Sequence, residues 1–218
     1  MKSELLHRSI SSFFLLFFTL LSALFYDYIF LSIVFITIIL SWIEWVKIIE
    51  KINFKKIIRT AHILLFLVYL FIAFIICFNI FIFDKFFFLS ILMICIFSDI
   101  GGYMFGKIFG GKKLTKISPN KTISGSIGSF ILSYMGFFLI YFYFNNLLFV
   151  TIGFETLFFI PFLISLICQL GDLLISYYKR KAKIKNTGNL IPGHGGLLDR
   201  IDGTIFALPI GFIIISLL

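Results

Sequence analysis

The chain has 218 residues, of which 61% are hydrophobic and only 13% charged. A soluble domain carries about a quarter charged residues and could not hide this much apolar surface, so the composition excludes a water-soluble fold and points to an integral membrane protein. The net charge of +9 would suit a nucleic-acid binder, but Lys and Arg gathering in loops on one side of a bilayer explain it better.

Apolar runs of about 20 residues mark helical spans. The first, from Ile10 to Phe25, follows Lys2 and Arg8 and resembles a signal peptide. No A-x-A cleavage site follows, and it is read as a retained helix. Seven spans are expected, at 10–26, 28–46, 61–82, 86–105, 124–144, 150–178 and 203–218. The sixth is long enough to break near Pro161 or to leave the membrane at its C-terminal end. The expected fold is thus an all-α polytopic membrane protein with about seven transmembrane helices. It is read as one membrane domain over 1–218, with N-terminal helices over 1–97 and catalytic helices and loops over 98–218.

Placing the N-terminus in the cytosol puts 18 of the 19 basic residues on the cytosolic side, with Lys85 the exception. That asymmetry supports the span count and the orientation. The outer connections, 26–28, 84–85 and 145–155, carry little chemistry. The inner loops, 106–123 and 179–202, carry most of the unusual residues, so an active site is expected at the cytosolic helix ends. Cys77, Cys95 and Cys168 stand singly in apolar runs and are read as small hydrophobes, with neither a disulfide nor a zinc site expected.

The segment Ser98–Ser129 begins with Asp99, an acid near the end of an apolar run, where it costs several kcal/mol unless paired or hydrated. Glycines 101, 102, 106, 110 and 111 allow close helix packing or close approach to a ligand. Lys107, Lys112 and Lys113 follow, and Ser118-Pro119-Asn120-Lys121-Thr122 makes a turn into the next helix. Such residues at a helix N-terminus suit phosphate, although no Walker A sequence is present. A positive-inside loop with packing glycines is the plain alternative, and spacing alone leaves both open.

The second segment begins with Gly171-Asp172 inside the sixth run. Asp172 and Ser176 are four apart and share a helix face with Lys179. Asp172 reads either as a counter-ion to a lysine or as a cation ligand. Asp199 and Asp202 flank Arg200 after Gly193-His194-Gly195-Gly196. Carboxylates converging from two helices can hold magnesium, which takes one or two carboxylates plus phosphate oxygens. His194 lacks the companions that zinc needs and is either an acid–base group, a phosphate donor or a polar turn residue.

At this point the residues resemble a known family. Ser176, Lys179, Arg180, Lys185, Gly188, Ile191, Pro192, His194, Gly195, Gly196, Leu197, Asp199, Arg200, Ile201 and Asp202 stand in register with the C-terminal signature of phosphatidate cytidylyltransferases. Gly171-Asp172-Leu173 matches that family's GDL element, and Ser98-Asp99 through Thr122 resembles its Gly- and Lys-rich pattern. Trp42-Ile43-Glu44-Trp45 resembles a weaker N-terminal feature. Tyr178, Asn186 and Ser124 depart from the pattern, and the chain is shorter than many relatives, by N-terminal helices.

The resemblance implies a nucleotidyltransferase of phospholipid biosynthesis that converts CTP and phosphatidic acid to CDP-diacylglycerol and pyrophosphate. It implies a multi-pass protein of a bacterial inner or plasma membrane, with its active site facing the cytoplasm. Asp172, Asp199, Lys179, Arg200 and His194 are the expected catalytic residues. Ser176, Lys179, Arg180, Lys185, Lys121, Thr122 and Arg200 are expected to bind phosphates, and Asp172, Asp199 and Asp202 to hold magnesium, with a second cation compatible. The expected partners are CTP, phosphatidic acid and membrane lipids; no nucleic acid is expected, and a homodimer is compatible. The alternatives are a CTP-dependent polyprenol or phytol kinase, and a non-enzymatic transporter or scaffold.

Overall fold

The structure, a computed structural model, describes residues 17–144, 154–188, 190 and 195–216. Among them the regular structure is helical, apart from isolated bridge residues, of which Lys113 and Thr122 form an antiparallel pair. In order come α1, described over 17–25, then α2 (Asp27–Glu50), α3 (Lys56–Phe83), α4 (Lys85–Phe109), α5 (Ile123–Phe144), α6 (Phe154–Lys181), the single turn α7 (Leu198–Ile201) and α8 (Thr204–Ser216).

Helices α2 to α6 are each long and apolar enough to cross a membrane, the make-up of a polytopic membrane protein. Leu65, Phe71 and Phe142 are 64–73% exposed, which suits side chains facing lipid rather than water. The expected first, sixth and seventh runs lie partly outside the described residues. Helix α8, with 13 residues, rises about 20 Å, short of the roughly 30 Å hydrocarbon core.

The helices overrun the apolar runs at their charged ends. Helix α2 continues through Lys47 to Glu50, α3 begins at Lys56 and α4 ends at Phe109. Lys179, Arg180 and Lys181 complete the last turn of α6, so the loops expected at 106–123 and 179–202 are both shorter. Hydropathy falls where headgroups begin, but the backbone ladder continues, and cations at a helix C-terminus complement its dipole. Helix α6 also runs unbroken through Pro161. Proline removes one ladder bond. Donors on α5 serve carbonyls nearby: Tyr134 OH donates to Phe158 O at 2.7 Å and Ser133 Oγ to Pro161 O at 3.4 Å.

Contacts gather the chain into two compact units, each discontinuous in sequence. The first takes the residues up to Phe74 together with Lys179–Ile201; the second takes Ile75–Tyr178 and Asp202–Leu218. In the first, α2 and the start of α3 pair through Trp45. Its ring stacks on Phe66 at 4.3 Å and its Nε1 donates to the His62 carbonyl at 3.3 Å.

In the second unit the closest packing is between α4 and α5, where glycines let the backbones touch. A Cβ on Gly125 would lie 2.7 Å from Gly102 O, and one on Gly128 would lie 2.7 Å from Gly101 O. Helices in a membrane lack a hydrophobic drive toward one another, and such small-residue contacts hold them together by dispersion. Helices α6 and α8 meet in the same way, since a Cβ on Gly171 would lie 2.9 Å from Asp202 O. Polar side chains link α4, α5 and α6: Ser98 and Ser165 hydroxyls are 2.8 Å apart, and Ser126 donates to Gln169 Oε1 at 2.6 Å. Helix α4 starts on buried Asp84, whose carboxylate caps it by accepting from Phe87 N at 2.8 Å.

Adding one methyl at this contact, as Gly101→Ala or Gly128→Ala, forces the α4 and α5 backbones apart. Each substitution should cost about 1–3 kcal/mol. Thermal unfolding in detergent measures it, and an unchanged melting temperature would disprove the close approach.

Candidate functional site

The second unit contains an oxygen-rich cavity of about 290 Å³ between the C-terminal part of α4, the start of α5 and α6. How it forms starts with the chain that joins α4 to α5. Gly110 and Gly111 take φ of 57° and 99°, a left-handed conformation that only glycine adopts readily. The chain then folds back on itself: Leu114 N donates to Lys121 O at 2.9 Å, and Ile123 N to Lys112 O at 3.0 Å. The Ser118-Pro119-Asn120-Lys121 turn, expected from sequence, closes with Lys121 N donating to Ser118 O at 3.0 Å. Thr122 caps α5, its hydroxyl accepting from Gly125 N at 3.1 Å. Ser124, a departure from the family pattern, donates from its hydroxyl to the Gly110 carbonyl.

The cavity is lined by Asp99, Asp172, Lys121, Ser118, Asn120, Thr122, Ser126 and Gln169, among others. Asp172 is ion-paired with Lys121, the two side chains about one quarter exposed, and also accepts from Ser176 Oγ at 3.2 Å. Both sequence readings of Asp172 therefore meet in one place: it has its lysine counter-ion, and it stands among hard oxygen donors. Carboxylate, hydroxyl and amide oxygens without a lining His or Cys fit magnesium rather than zinc. Among the described residues no three His, Cys, Asp or Glu side chains gather to hold a metal, but magnesium needs only one or two carboxylates when a phosphate supplies the rest. Asp202, buried, accepts from Gly203 N at 2.9 Å.

In the first unit, the residues after α6 fold around two carboxylates. Asp199 lies on α7. Its Oδ1 accepts from Lys179 Nζ at 2.8 Å, and its Oδ2 from Thr187 N at 2.8 Å and Gly196 N at 3.0 Å. Lys179 and Asp199 are only about a tenth exposed at the side chain. The second carboxylate is Glu44, on α2 and 1% exposed. It accepts from Leu197 N at 3.0 Å, Leu198 N at 2.9 Å and Thr187 Oγ1 at 2.6 Å. Burying a carboxylate costs several kcal/mol, and these donors offset it.

Glu44 explains two glycines of the signature. A Cβ on Gly188 would lie 2.7 Å from Glu44 Oε1, and one on Gly196 would collide with Glu44 and Thr187. Glu44 is absent from the expected site residues. The available signal was an acid in a long apolar helix, within the Trp42–Trp45 run already matched to the family.

Asp172, Lys121, Thr122 and Ser176 fall in the second unit together with Asp202. Asp199, Lys179, Arg180, Lys185 and Arg200 fall in the first. Arg180, Lys185 and Arg200 are exposed. His194 lies outside the described residues.

The end of α6 is a Schellman motif: Ile184 N donates to Lys179 O and Lys183 N to Arg180 O, both at 3.0 Å. Lys183 has φ of 56°, the only non-glycine residue with positive φ among the described residues. A side chain in that conformation costs about 1–2 kcal/mol, while glycine there gives up about 0.5–1 kcal/mol through the unfolded chain. Lys183→Gly should therefore stabilise the protein by about 0.5–1 kcal/mol, seen as a higher melting temperature in detergent; a fall would contradict the strain argument.

Comparison with known proteins gives this geometry a family. The phosphatidate cytidylyltransferase of Helicobacter pylori is 40% identical over 117 residues, which cover 53% of this chain and 42% of that protein. The phosphatidate cytidylyltransferase of Rickettsia bellii is 44% identical over 126 residues, covering 53% of this chain and 52% of that protein. The one from Staphylococcus aureus is 42% identical over 116 residues, covering 52% and 42%. The chain thus spans about half the length of the curated relatives it matches. The profile of the cytidylyltransferase family matches residues 6–218, and by that match across almost all of its length the chain belongs to the cytidylyltransferase family.

Proposed function

We propose that this chain transfers the cytidylyl group of CTP to phosphatidic acid, giving CDP-diacylglycerol and pyrophosphate for phospholipid synthesis. The observation that carries this reading is the oxygen-lined cavity with Asp172 and Lys121 at its wall, in a chain of the cytidylyltransferase family whose relatives bear that activity in their names. The protein sits in the inner or plasma membrane of a bacterium, crosses it about seven times and keeps its N-terminus and site on the cytosolic side. The distribution of basic residues supports that orientation.

Both substrates are polyanions, one soluble and one anchored in lipid. A site at cytosolic helix ends meets both, and its main task is charge neutralisation. A phosphate oxygen of phosphatidic acid attacks the α-phosphorus of CTP; the new P–O bond forms as the bond to the bridging oxygen of the β-phosphate breaks, and pyrophosphate leaves. The lipid phosphate is already largely ionised near neutral pH, so no general base is needed, and His194 positions a phosphate instead. Lys121 and Thr122 hold phosphate oxygens at the cavity, and Ser176, bonded to Asp172, is a further phosphate-binding candidate. Lys179, Arg180, Lys185 and Arg200 supply the remaining positive charge, with Arg180, Lys185 and Arg200 exposed to take it up. Asp172, with Asp99 on the same cavity wall, would hold magnesium, and the family resemblance alone adds Asp199 and Asp202 as candidate ligands. Magnesium, when bound, neutralises the triphosphate and the developing charge on the leaving group.

The rival kinase reading would transfer the γ-phosphoryl group and release CDP. Incubating reconstituted protein with CTP, phosphatidic acid and magnesium separates the two: pyrophosphate and CDP-diacylglycerol are expected, and CDP alone would replace the proposal with the kinase. In the same assay Asp172→Ala and Asp199→Ala should each lower the rate at least about a thousandfold while the protein still inserts. Asp199→Asn keeps the side-chain size and isolates the loss of charge. Full activity in any of these variants would remove that residue from the site.

A further inference from the structure

Glu44 is the least exposed charged side chain among the described residues, yet the chemistry proposed above does not use it. Resting on the reading of Asp199 as a working group, we infer that Glu44 is a positioning residue that sets where Asp199 and Lys179 stand. Both segments that cradle Asp199 are tied to this one carboxylate. Thr187 N and Gly196 N hold Asp199 Oδ2 at 2.8 and 3.0 Å. Thr187 is fixed in turn by its hydroxyl on Glu44 at 2.6 Å, and the residues following Gly196 by Leu197 N and Leu198 N on Glu44 at 3.0 and 2.9 Å.

The Thr187 hydroxyl lies 2.6 Å from Glu44 Oε2 and 3.1 Å from Asp199 Oδ2. It carries a single proton, and the shorter contact takes it. Glu44 therefore orients Thr187, and Thr187 presents its backbone N–H to Asp199. The three donors on Glu44 are neutral groups from a loop and from the start of α7. It acts by geometry, on the first unit alone, and need not touch either substrate.

The Gln variant tests this, because it keeps the volume and removes one acceptor. Glu44→Gln should lower kcat for pyrophosphate release at least about tenfold, with the KM for phosphatidic acid within about twofold. Thr187→Val should show the same split, Thr187→Ser should restore most of the rate, and the double variant Glu44→Gln/Thr187→Val should lose less than the product of the single losses. A merely structural Glu44 gives another pattern: less folded protein, with kcat per folded molecule unchanged. That pattern overturns the inference. Amide hydrogen exchange over residues 195–200 gives a readout independent of turnover. Faster exchange in Glu44→Gln supports the positioning role, and unchanged exchange overturns it. Wild-type protein that releases no pyrophosphate would sink the cytidylyltransferase reading, while the exchange comparison would still decide whether Glu44 holds this loop.

Discussion

A polar group at the edge of a bilayer must find its partner inside the protein, and in the first unit Glu44 is where that requirement is concentrated. Its carboxylate projects from an apolar helix to backbone amides at the start of α7 that lack ladder partners. It gains donors that offset the cost of its burial. The loop gains an acceptor for two N–H groups at the start of α7, a turn too short to satisfy its own ends. Asp199 repeats the arrangement, taking Thr187 N, Gly196 N and the Lys179 ammonium. Two carboxylates thus hold the backbone at residues 187 and 196–198, beside the buried side chain of Leu198.

The same requirement accounts for glycines that otherwise look alike. Between α4 and α5 they let two backbones meet, as at Gly101 and Gly128. At Gly188 and Gly196 they leave room for the carboxylate of Glu44. Gly110 and Gly111 turn the chain so that Ser118–Thr122 can return to cap α5. Small residues serve helix packing in one place, acceptor access in another and loop reversal in a third. Composition alone cannot separate these uses.

The helices were legible in the sequence because hydrocarbon thickness forces long apolar runs, and α2 to α6 lie where those runs are. Their ends were not, since Lys56, Lys107 and Lys179–Lys181 are helical although their side chains belong among headgroups. The Ser118–Lys121 turn was legible because proline and asparagine leave the backbone few choices. Ser176 bonding to Asp172 followed from their four-residue spacing. Glu44 was not legible as a site residue: it meets Leu197 and Leu198 across more than 150 positions, and no local pattern encodes so distant a contact. Nor could spacing say which lysine would meet which aspartate, because long flexible side chains choose partners by tertiary geometry.

Those lysine–aspartate pairs are not equivalent. Lys121 and Asp172 are 28% and 25% exposed, whereas Lys179 and Asp199 are 10% and 11% exposed. An accessible pair is worth at most about 1 kcal/mol, so its members can exchange partners with little loss. Breaking a buried pair by removing one partner costs about 3–5 kcal/mol. Asp199 is held by donors from Lys179, Thr187 and Gly196, while Asp172, bonded to Ser176 and Lys121, faces a cavity large enough to admit part of a ligand. On the proposed chemistry, Asp172 and Lys121 are the pair that trades partners for magnesium and phosphate most easily, and Asp199 and Lys179 are the more firmly held pair. Of the three expected cation ligands, Asp172 is the one that lines the cavity, and on the proposed chemistry it is the carboxylate most open to a cation.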